Sequence, residues 1–436
     1  MRICLASIHP RALSGQIDCL AGLARELTVL GHEVRVVSAF EEAALLHGDR
    51  LALCDGDGGA LLPKVGRIRR ILGALARHAA EADVVHFNLP TPAFALLADV
   101  LQMHTQTPVV VGYEAHLAPF GELLGSRRLL AAPLFYLPRL AINNALIARL
   151  TVRRAARYIV SSQMQAAELV ATGADPARVV VIPNVIDAGK LPSYSRREAR
   201  WQLGLPPGRL VVYIGHYHDV KGVDVLAAAF AHIARAIPEA RLILAWSGLG
   251  SPRPVESIIA REGLSDRVVR FGKVDVAKAL ASADVVALPY RLSIGQAAYP
   301  GLVLETMVVG RPLVTTDLPL LRELVADSQT ALLCPPDSPA ALADSVLRLL
   351  ADHELAGRLV AAQKSAMRRR FRPSLLTRQY EKVYEDVLAE QARVLRPALG
   401  SDLVRSAALR RAKRGMGEPA RARVGPERAA ADRKSA

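Results

Sequence analysis

Short runs of continuous Val, Ile and Leu recur along this chain, separated by longer stretches in which apolar residues return every three or four positions. In the first half the runs are "RICLAS" (2–7), "GHEVRVVSA" (31–39), "DVVHFN" (83–88), "PVVVGYEAH" (108–116), "YIVSS" (158–162) and "VVVIP" (179–183). In the second half they are "RLVVYIG" (209–215), "ARLILAWS" (240–247), "RVVRFG" (267–272), "ADVVALPY" (283–290), "RPLVTT" (311–316) and "TALLCPP" (330–336). Their apolar cores lack polar alternation, which predicts strands of a parallel sheet covered by helices on both faces. Strand–helix alternation through both halves predicts an α/β chain of two doubly wound domains. The join falls in 184–208, where "NVIDAGKLPSYSRREARWQLGLPPG" is polar and broken by Pro and Gly. The expected domains are 1–186 and 187–370, followed by a helix over 371–391 and a basic tail over 392–436. Ligands of open parallel sheets sit beyond the carboxyl ends of the strands, so the crevice between the domains is the expected site.

Composition narrows the class. With 436 residues, 51% hydrophobic and 22% charged, the chain has enough apolar surface for two cores. Cys4, Cys19, Cys54 and Cys334 are scattered without metal-type spacing, which fits a reducing cytoplasm. "MRICLASIHP" enters a strand pattern at once, so no signal peptide is expected. The net charge is +15, and residues 391–436 carry roughly +8 of it. That tail reads as solvated or as a contact for anionic lipid. No helix-turn-helix, zinc or base-stacking pattern accompanies the charge, so specific nucleic-acid binding is not expected. The stretch 129–160 is apolar with an arginine rim, but Pro133, Pro138, Arg139, Asn143 and Asn144 interrupt it. It is too broken to span a bilayer. It reads equally as a core helix pair or as a face lying on a membrane surface.

Two stretches carry candidate chemistry. In "YIGHYHDVKGVDVLAAAF" (213–230) a strand ends at Gly215, a polar loop with His216 and His218 follows, and a helix starts near Gly222 or Val223. A helix start offers unpaired N–H groups and a positive dipole end, which suits phosphate, and Lys221 adds a point charge there. In "AAYPGLVLETMVVGRPLVTTD" (297–317) a lone carboxylate, Glu305, sits in the first turns of an apolar helix. A carboxylate can accept two hydroxyls, as from a ribose. Neither stretch is a P-loop or a GxGxxG fingerprint. "CDGDGG" (54–59) reads as a flexible loop.

The "G-x-x-x-x-x-K-G" loop at 215–222, paired with "YPGLVLETMVVGRPLVTTD", resembles the retaining nucleotide-sugar glycosyltransferases of family 4 (glycosyl transferase group 1). "SGQIDCLAGLARELTVLGHEVRVVS" (14–38), "DVVHFN", "PVVVGYEAH" and "VVVIPNVID" are similar to family segments in the same order, over about residues 1–390. The resemblance implies two Rossmann-like domains facing across a cleft, the GT-B architecture. It implies a donor nucleotide on the second domain, an acceptor on the first, and a C-terminal helix, "FRPSLLTRQYEKVYEDVLAEQ", crossing back. It implies configuration-retaining transfer without a metal or other cofactor. Residue by residue, Lys221 resembles the diphosphate-neutralising lysine and Glu305 the second glutamate of the family's Glu-x7-Glu motif, which binds ribose. His116 resembles a histidine near the reaction centre, and Gly15 a glycine whose backbone approaches the diphosphate. Gly301 and Leu302 would offer N–H groups to the phosphates. Gly215 and His216 lie where the family has its loop glycine and, beside it, an arginine. The first glutamate of the family motif is Ala297 here, with Gln296 beside it and Ser293 nearby.

The expected function is retaining transfer of a sugar from a UDP- or GDP-linked donor to a lipid-linked or polysaccharide acceptor, as in cell-envelope biosynthesis. The expected location is the cytoplasm, with peripheral contact to the inner membrane face. The alternative is a catalytically inactive nucleotide-sugar-binding scaffold on the same fold.

Overall fold

A computed structural model describes residues 1–7, 14–38, 65–89, 95–113, 155–186, 191–293 and 299–398. Met1–Val387 form one compact unit; Leu388–Ala436 form another, of which only the helical residues up to 398 are described. The expected chemistry at His116, Ala297 and Gln296, the loop 54–59, most of 129–160 and most of the tail lies outside the described residues.

The first sheet contains β1 (Arg2–Ser7), β2 (Glu33–Ser38), β3 (Val84–Leu89), β4 (Val109–Tyr113), β5 (Arg157–Val160) and β6 (Val179–Val181). The second contains β7 (Arg209–Tyr217), β8 (Ala240–Gly250), β9 (Val268–Phe271), β10 (Val285–Leu288), β11 (Leu313–Thr316) and β12 (Leu332–Cys334). Their orders are β2-β1-β3-β4-β5-β6 and β12-β11-β10-β7-β8-β9, and the strand pairs are parallel. Among the described helices, α1 (Ser14–Val29), α2 (Val65–Glu81), α3 (Ala95–His104) and α4 (Gln163–Ala171) belong to the first half. The second half holds α5 (Arg196–Gln202), α6 (Val223–Ala236), α7 (Arg253–Arg261), α8 (Val276–Ser282), α9 (Gly301–Val309), α10 (Pro319–Arg322), α11 (Pro339–Ala351), α12 (His353–Arg370) and α13 (Pro373–Ala398).

The continuous apolar runs are explained by burial on both sheet faces. In β1, Ile3 and Leu5 join one core cluster while Cys4 and Ala6 join the other, because successive side chains point to opposite faces. The face of Cys4 packs with Leu75, Ala79, Ala98 and Leu101 from α2 and α3. The opposite face packs with Leu20, Leu23 and Leu27 of α1 and with Leu376, Tyr380, Val383, Tyr384 and Val387 of α13. The last described helix therefore supplies part of the first domain's core, hundreds of residues after that domain's strands.

Polar contacts fix that docking. Tyr384, fully buried, meets Nδ1 of the buried His86 on β3 at 2.7 Å. His32 meets Glu381 at 2.8 Å. A second tie joins the two halves through Glu323, just past α10. Its carboxylate accepts the backbone N–H groups of Gln163 and Met164, both at 2.8 Å, at the start of α4. Two orphan donors of a first-domain helix are thus satisfied from the second. Among the described residues, no helix is long and apolar enough to cross a membrane.

Tyr384→Phe keeps the ring and removes the hydroxyl that meets His86. The buried imidazole nitrogen loses its partner, so a loss of about 1–3 kcal/mol is expected. A lowered urea midpoint checks this; an unchanged midpoint would show that the contact carries no weight.

Candidate functional site

The order of the second sheet sets β7 beside β10, and the chain winds outward in opposite directions from that pair. This is a topological switch point, and the carboxyl ends of β7 and β10 are where such a fold leaves a crevice. β7 is longer than its sequence suggests. It continues through His216 to Tyr217, so Gly215 and His216 are strand residues and not part of a loop. The reason is β8, which extends to Gly250 and pairs with Tyr217 after a register shift between Gly215 and Tyr217. A bulge of this kind re-aims side chains at the end of a strand. Gly215 has φ 144°, and a Cβ there would lie 3.0 Å from the Tyr213 hydroxyl, so the position suits glycine. The Tyr213 hydroxyl donates to the His216 carbonyl at 2.7 Å.

Beyond β7 comes a single 3-10 turn, Asp219–Lys221, then Gly222 at φ 65° and α6. A Cβ on Gly222 would lie 2.0 Å from the Pro289 carbonyl oxygen. The loops after β7 and β10 therefore touch backbone to backbone, and Arg291 N–H donates to the Val220 carbonyl at 2.9 Å. The Arg291 side chain, 7% exposed, spans three carboxylates. Nη1 donates to Asp219 Oδ1 at 2.8 Å and to its carbonyl at 2.9 Å; Nη2 donates to Asp224 and Nε to Asp337, each at 2.5 Å. Burial disfavours the charged guanidinium, but the bonds to Asp224 and Asp337 and the charge of Asp219 outweigh it and raise its pKa above the ordinary value. One cation thus ties the segments following β7, β10 and β12 to the first turn of α6.

Lys221 and Glu305 both bear on Tyr290, the first by contact and the second by its charge. The Lys221 ammonium lies 4.9 Å from the centre of the Tyr290 ring, within cation–π range. Thr316 of β11 donates to the Tyr290 carbonyl at 2.5 Å and holds that residue. The Tyr290 hydroxyl is pushed above the usual phenol range, by burial first and by the charge of Glu305 second. Glu305 folds back over its own first turn: its Oε1 lies 3.9 Å from where Gly301 would carry a Cβ. Gly301 and Leu302 are the first residues of α9, where helix geometry leaves N–H groups pointing out of the end. Pro300 precedes them, and Val303 N–H donates to its carbonyl at 3.0 Å.

His216 borders this group. Its Nδ1 is in a short hydrogen bond with Ser247 Oγ. Its ring centre is 5.8 Å from that of His218. Burial, reinforced by the charge of Lys221, brings its pKa down to about 4. His216 is therefore a neutral hydrogen-bonding group at pH 7. Ser293 is buried, and its hydroxyl has no hydrogen-bond partner among the described residues. Gly15 is the second residue of α1, beyond the carboxyl end of β1. β1 lies between β2 and β3, so Gly15 stands near the first sheet's own switch point. His116 lies outside the described residues. Among the described residues, no three His, Cys, Asp or Glu side chains gather as a metal site. Sequence reasoning missed Arg291 and Tyr290 as organisers of the site. A lone charge straight after an apolar strand was the available signal.

Two outcomes test this geometry. Arg291→Met leaves Asp219, Asp224 and Asp337 without their shared cation, and a loss of about 3–5 kcal/mol in urea unfolding is expected. The second outcome concerns pH. His86, by burial, and His216 both have pKa values lowered from 6.5 to about 4. The unfolded chain takes up these protons near pH 6.5 and the folded chain does not, so stability falls as pH drops from about 7 to 4. His216→Gln should make that decline shallower by roughly one proton in urea midpoints measured across the window; an unchanged slope would contradict a neutral His216.

Comparison with known proteins fits the same division of the chain. A profile of the glycosyltransferase family 4 matches residues 14–190, and one described as glycosyl transferases group 1 matches 208–352. The phosphatidyl-myo-inositol mannosyltransferase of Mycobacterium leprae is 30% identical over 242 residues, 55% of this chain and 61% of that protein. The D-inositol 3-phosphate glycosyltransferase of Segniliparus rotundus is 31% identical over 207 residues, 45% of each chain. These matches span about half to three-fifths of the relatives' length. Among solved structures, Anabaena HepE in complex with UDP and glucose superposes with a TM-score of 0.68 at 18% identity, over 88% of this chain and 99% of that one. The sucrose-phosphate synthase of Thermosynechococcus elongatus gives 0.71 at 21% identity, over 89% and 100%. At such identities the structures speak for the fold, two Rossmann-like domains of the GT-B type. With adjoining profiles of one family over its two halves, on that fold, the chain belongs to the family 4, group 1 glycosyl transferases.

Proposed function

We propose that this protein is a retaining glycosyltransferase that moves a sugar from a nucleoside diphosphate sugar to a lipid-linked or polysaccharide acceptor. The observation that carries the reading is the placing of Lys221 against the Tyr290 ring and of Glu305 over the first turn of α9, both at the carboxyl-end side of the second sheet near the β7–β10 switch point. A cation and a carboxylate set apart on two helix starts match the two ends of a nucleoside diphosphate. Lys221 and the N–H groups at the starts of α6 and α9 stabilise charge on the diphosphate as it leaves. Glu305 accepts the ribose hydroxyls. Arg291 is bound to three carboxylates, and Lys221 is the cation just before the start of α6. His216 contributes a neutral hydrogen bond at the position of the family's arginine.

In the reaction, the bond between the sugar's anomeric carbon and the diphosphate oxygen breaks. The acceptor oxygen attacks from the same face, and its proton passes to the departing phosphate oxygen. Retention follows from that single-face geometry. The names of the matched mannosyltransferase and inositol phosphate glycosyltransferase support an acceptor that is itself phosphorylated or lipid-linked. The donor nucleotide rests on Lys221 and Glu305; His116 would reach the donor sugar near the reaction centre, and first-domain loops would meet the acceptor. Peripheral attachment to a cytoplasmic membrane face goes with such an acceptor and with the +15 net charge.

Calorimetric titration with UDP, GDP and ADP, followed by sugar-release assays with the matching nucleotide sugars, tests the reading. One nucleotide should bind, and its sugar conjugate should turn over. Lys221→Ala should weaken that nucleotide by about tenfold to a hundredfold and slow turnover with it. Unchanged affinity would remove Lys221 from the site. Nucleotide binding with no turnover on phospholipid or glycan acceptors would favour a scaffold instead.

A further inference from the structure

A second concentration of charge lies at the opposite edge of the second sheet, at the amino ends of its strands. Asp284 immediately precedes β10, and its carboxylate is fully engaged. Oδ1 pairs with Arg196 at 3.0 Å, while Oδ2 takes Arg200 at 2.7 Å and the Leu210 N–H at 2.7 Å. Arg200 also donates from Nε to the Ser282 carbonyl at 2.9 Å and from Nη1 to the Gly208 carbonyl at 3.2 Å. Arg196 and Arg200 are one turn apart on α5 and point the same way.

A third guanidinium reaches this cluster with no carboxylate left for it. Arg311 stands just before β11, and the carbonyl of its neighbour Pro312 accepts the Val286 N–H at 2.9 Å. That ladder contact brings Arg311 close to Asp284. The Arg311 Nε is buried and has no hydrogen-bond partner among the described residues. Its pKa is pulled down to about 10, by burial first and then by Arg196, with Arg200 adding and Asp284 opposing. Three guanidiniums around one carboxylate leave two positive charges uncompensated. A buried, unpartnered donor in like-charged surroundings is costly unless a ligand completes it.

We propose that Arg196, Arg200 and Arg311 form an anion site for a phosphate monoester at the amino ends of β7, β10 and β11, separate from the Lys221–Glu305 site. Planar guanidinium forks suit phosphate oxygens, and a dianionic monoester matches the two excess charges. The phosphate is either free in solution or the headgroup of an anionic lipid. Trp201, 80% exposed on the outward face of α5 with Arg197, gives the lipid source a place to rest an apolar ring.

The test uses the full chain in a Lys221→Ala background, so that phosphate at the other site does not contribute. Thermal melting is compared in sodium phosphate and in sodium chloride at matched ionic strength. Phosphate should raise the melting temperature saturably, by about 2–4 °C, and adding Arg311→Met should abolish that rise. In chloride the Arg311→Met chain should melt no lower than its parent, since a buried unpaired charge is gone. If that variant does not fold, Arg311→Lys, which keeps the charge and loses the fork, should weaken phosphate about tenfold. A second arm sediments the same variants with phosphatidylcholine vesicles containing phosphatidic acid. A phosphate shift with no effect of Arg311 or Trp201 substitution on sedimentation assigns the site to free phosphate. Loss of sedimentation, by about threefold or more, in both Arg311→Met and Trp201→Ala assigns it to lipid. An equal phosphate shift with and without Arg311 overturns the proposal, as does the absence of any shift together with unchanged vesicle binding.

Discussion

At the carboxyl ends of the second sheet, the connections are held by one buried cation. Arg291 leaves the end of β10 and holds Asp219, Asp224 and Asp337 at once. The loops after β7 and β10 also meet through their backbones, and the Arg291 side chain adds the segment after β12 to that junction. A guanidinium with several donors in a fixed plane can bridge such a junction; an ammonium presents a point charge and does not define the same angles. Because Lys221 is two residues from Asp219 and one from Gly222, its direction is inherited from that junction. The close approach of Gly222 to the Pro289 carbonyl belongs to the same constraint.

Charge is then divided between two edges of one sheet. At the carboxyl ends, the cation with the most donors is paired with carboxylates, and the neighbouring histidine is kept neutral by burial and by Lys221. Lys221 stands beside them, against the Tyr290 ring. At the amino ends the balance is reversed, with three guanidiniums around the single carboxylate of Asp284. The parallel sheet makes this possible, since every strand start lies on one edge and every strand end on the other.

The two halves are not separable units in a packing sense. The first sheet's face of Ile3, Leu5, Val84 and Val110 is covered partly by α13, through Tyr380, Tyr384 and Val387. The buried His86–Tyr384 contact gives that docking a polar register that apolar packing alone lacks. Glu323 adds a link from the second half to the start of α4. Tyr299, directly before the turn into α9, interacts with the same Glu323 and packs edge-on against Phe371. The helix carrying Glu305 is therefore joined to the contact between the halves.

The class of fold and two candidate groups can be read without the structure. Apolar runs without alternation have one stable use, a sheet buried on both faces, so the twelve strands could be read with ends displaced by a few residues. Lys221 and Glu305 were legible because local rules, a helix start after a strand and a carboxylate in an apolar helix, make each unusual where it stands. The extension of β7 through His216 was not legible, because it depends on β8 reaching Gly250 to pair with it. Nor were the roles of Arg291, Tyr290, Glu323 and Arg311. Each of these works through partners tens to hundreds of residues away, and single-sequence periodicity records which way a side chain faces, not what faces it. Only the folded chain shows that three carboxylates share Arg291 and that Asp284 already holds Arg196 and Arg200.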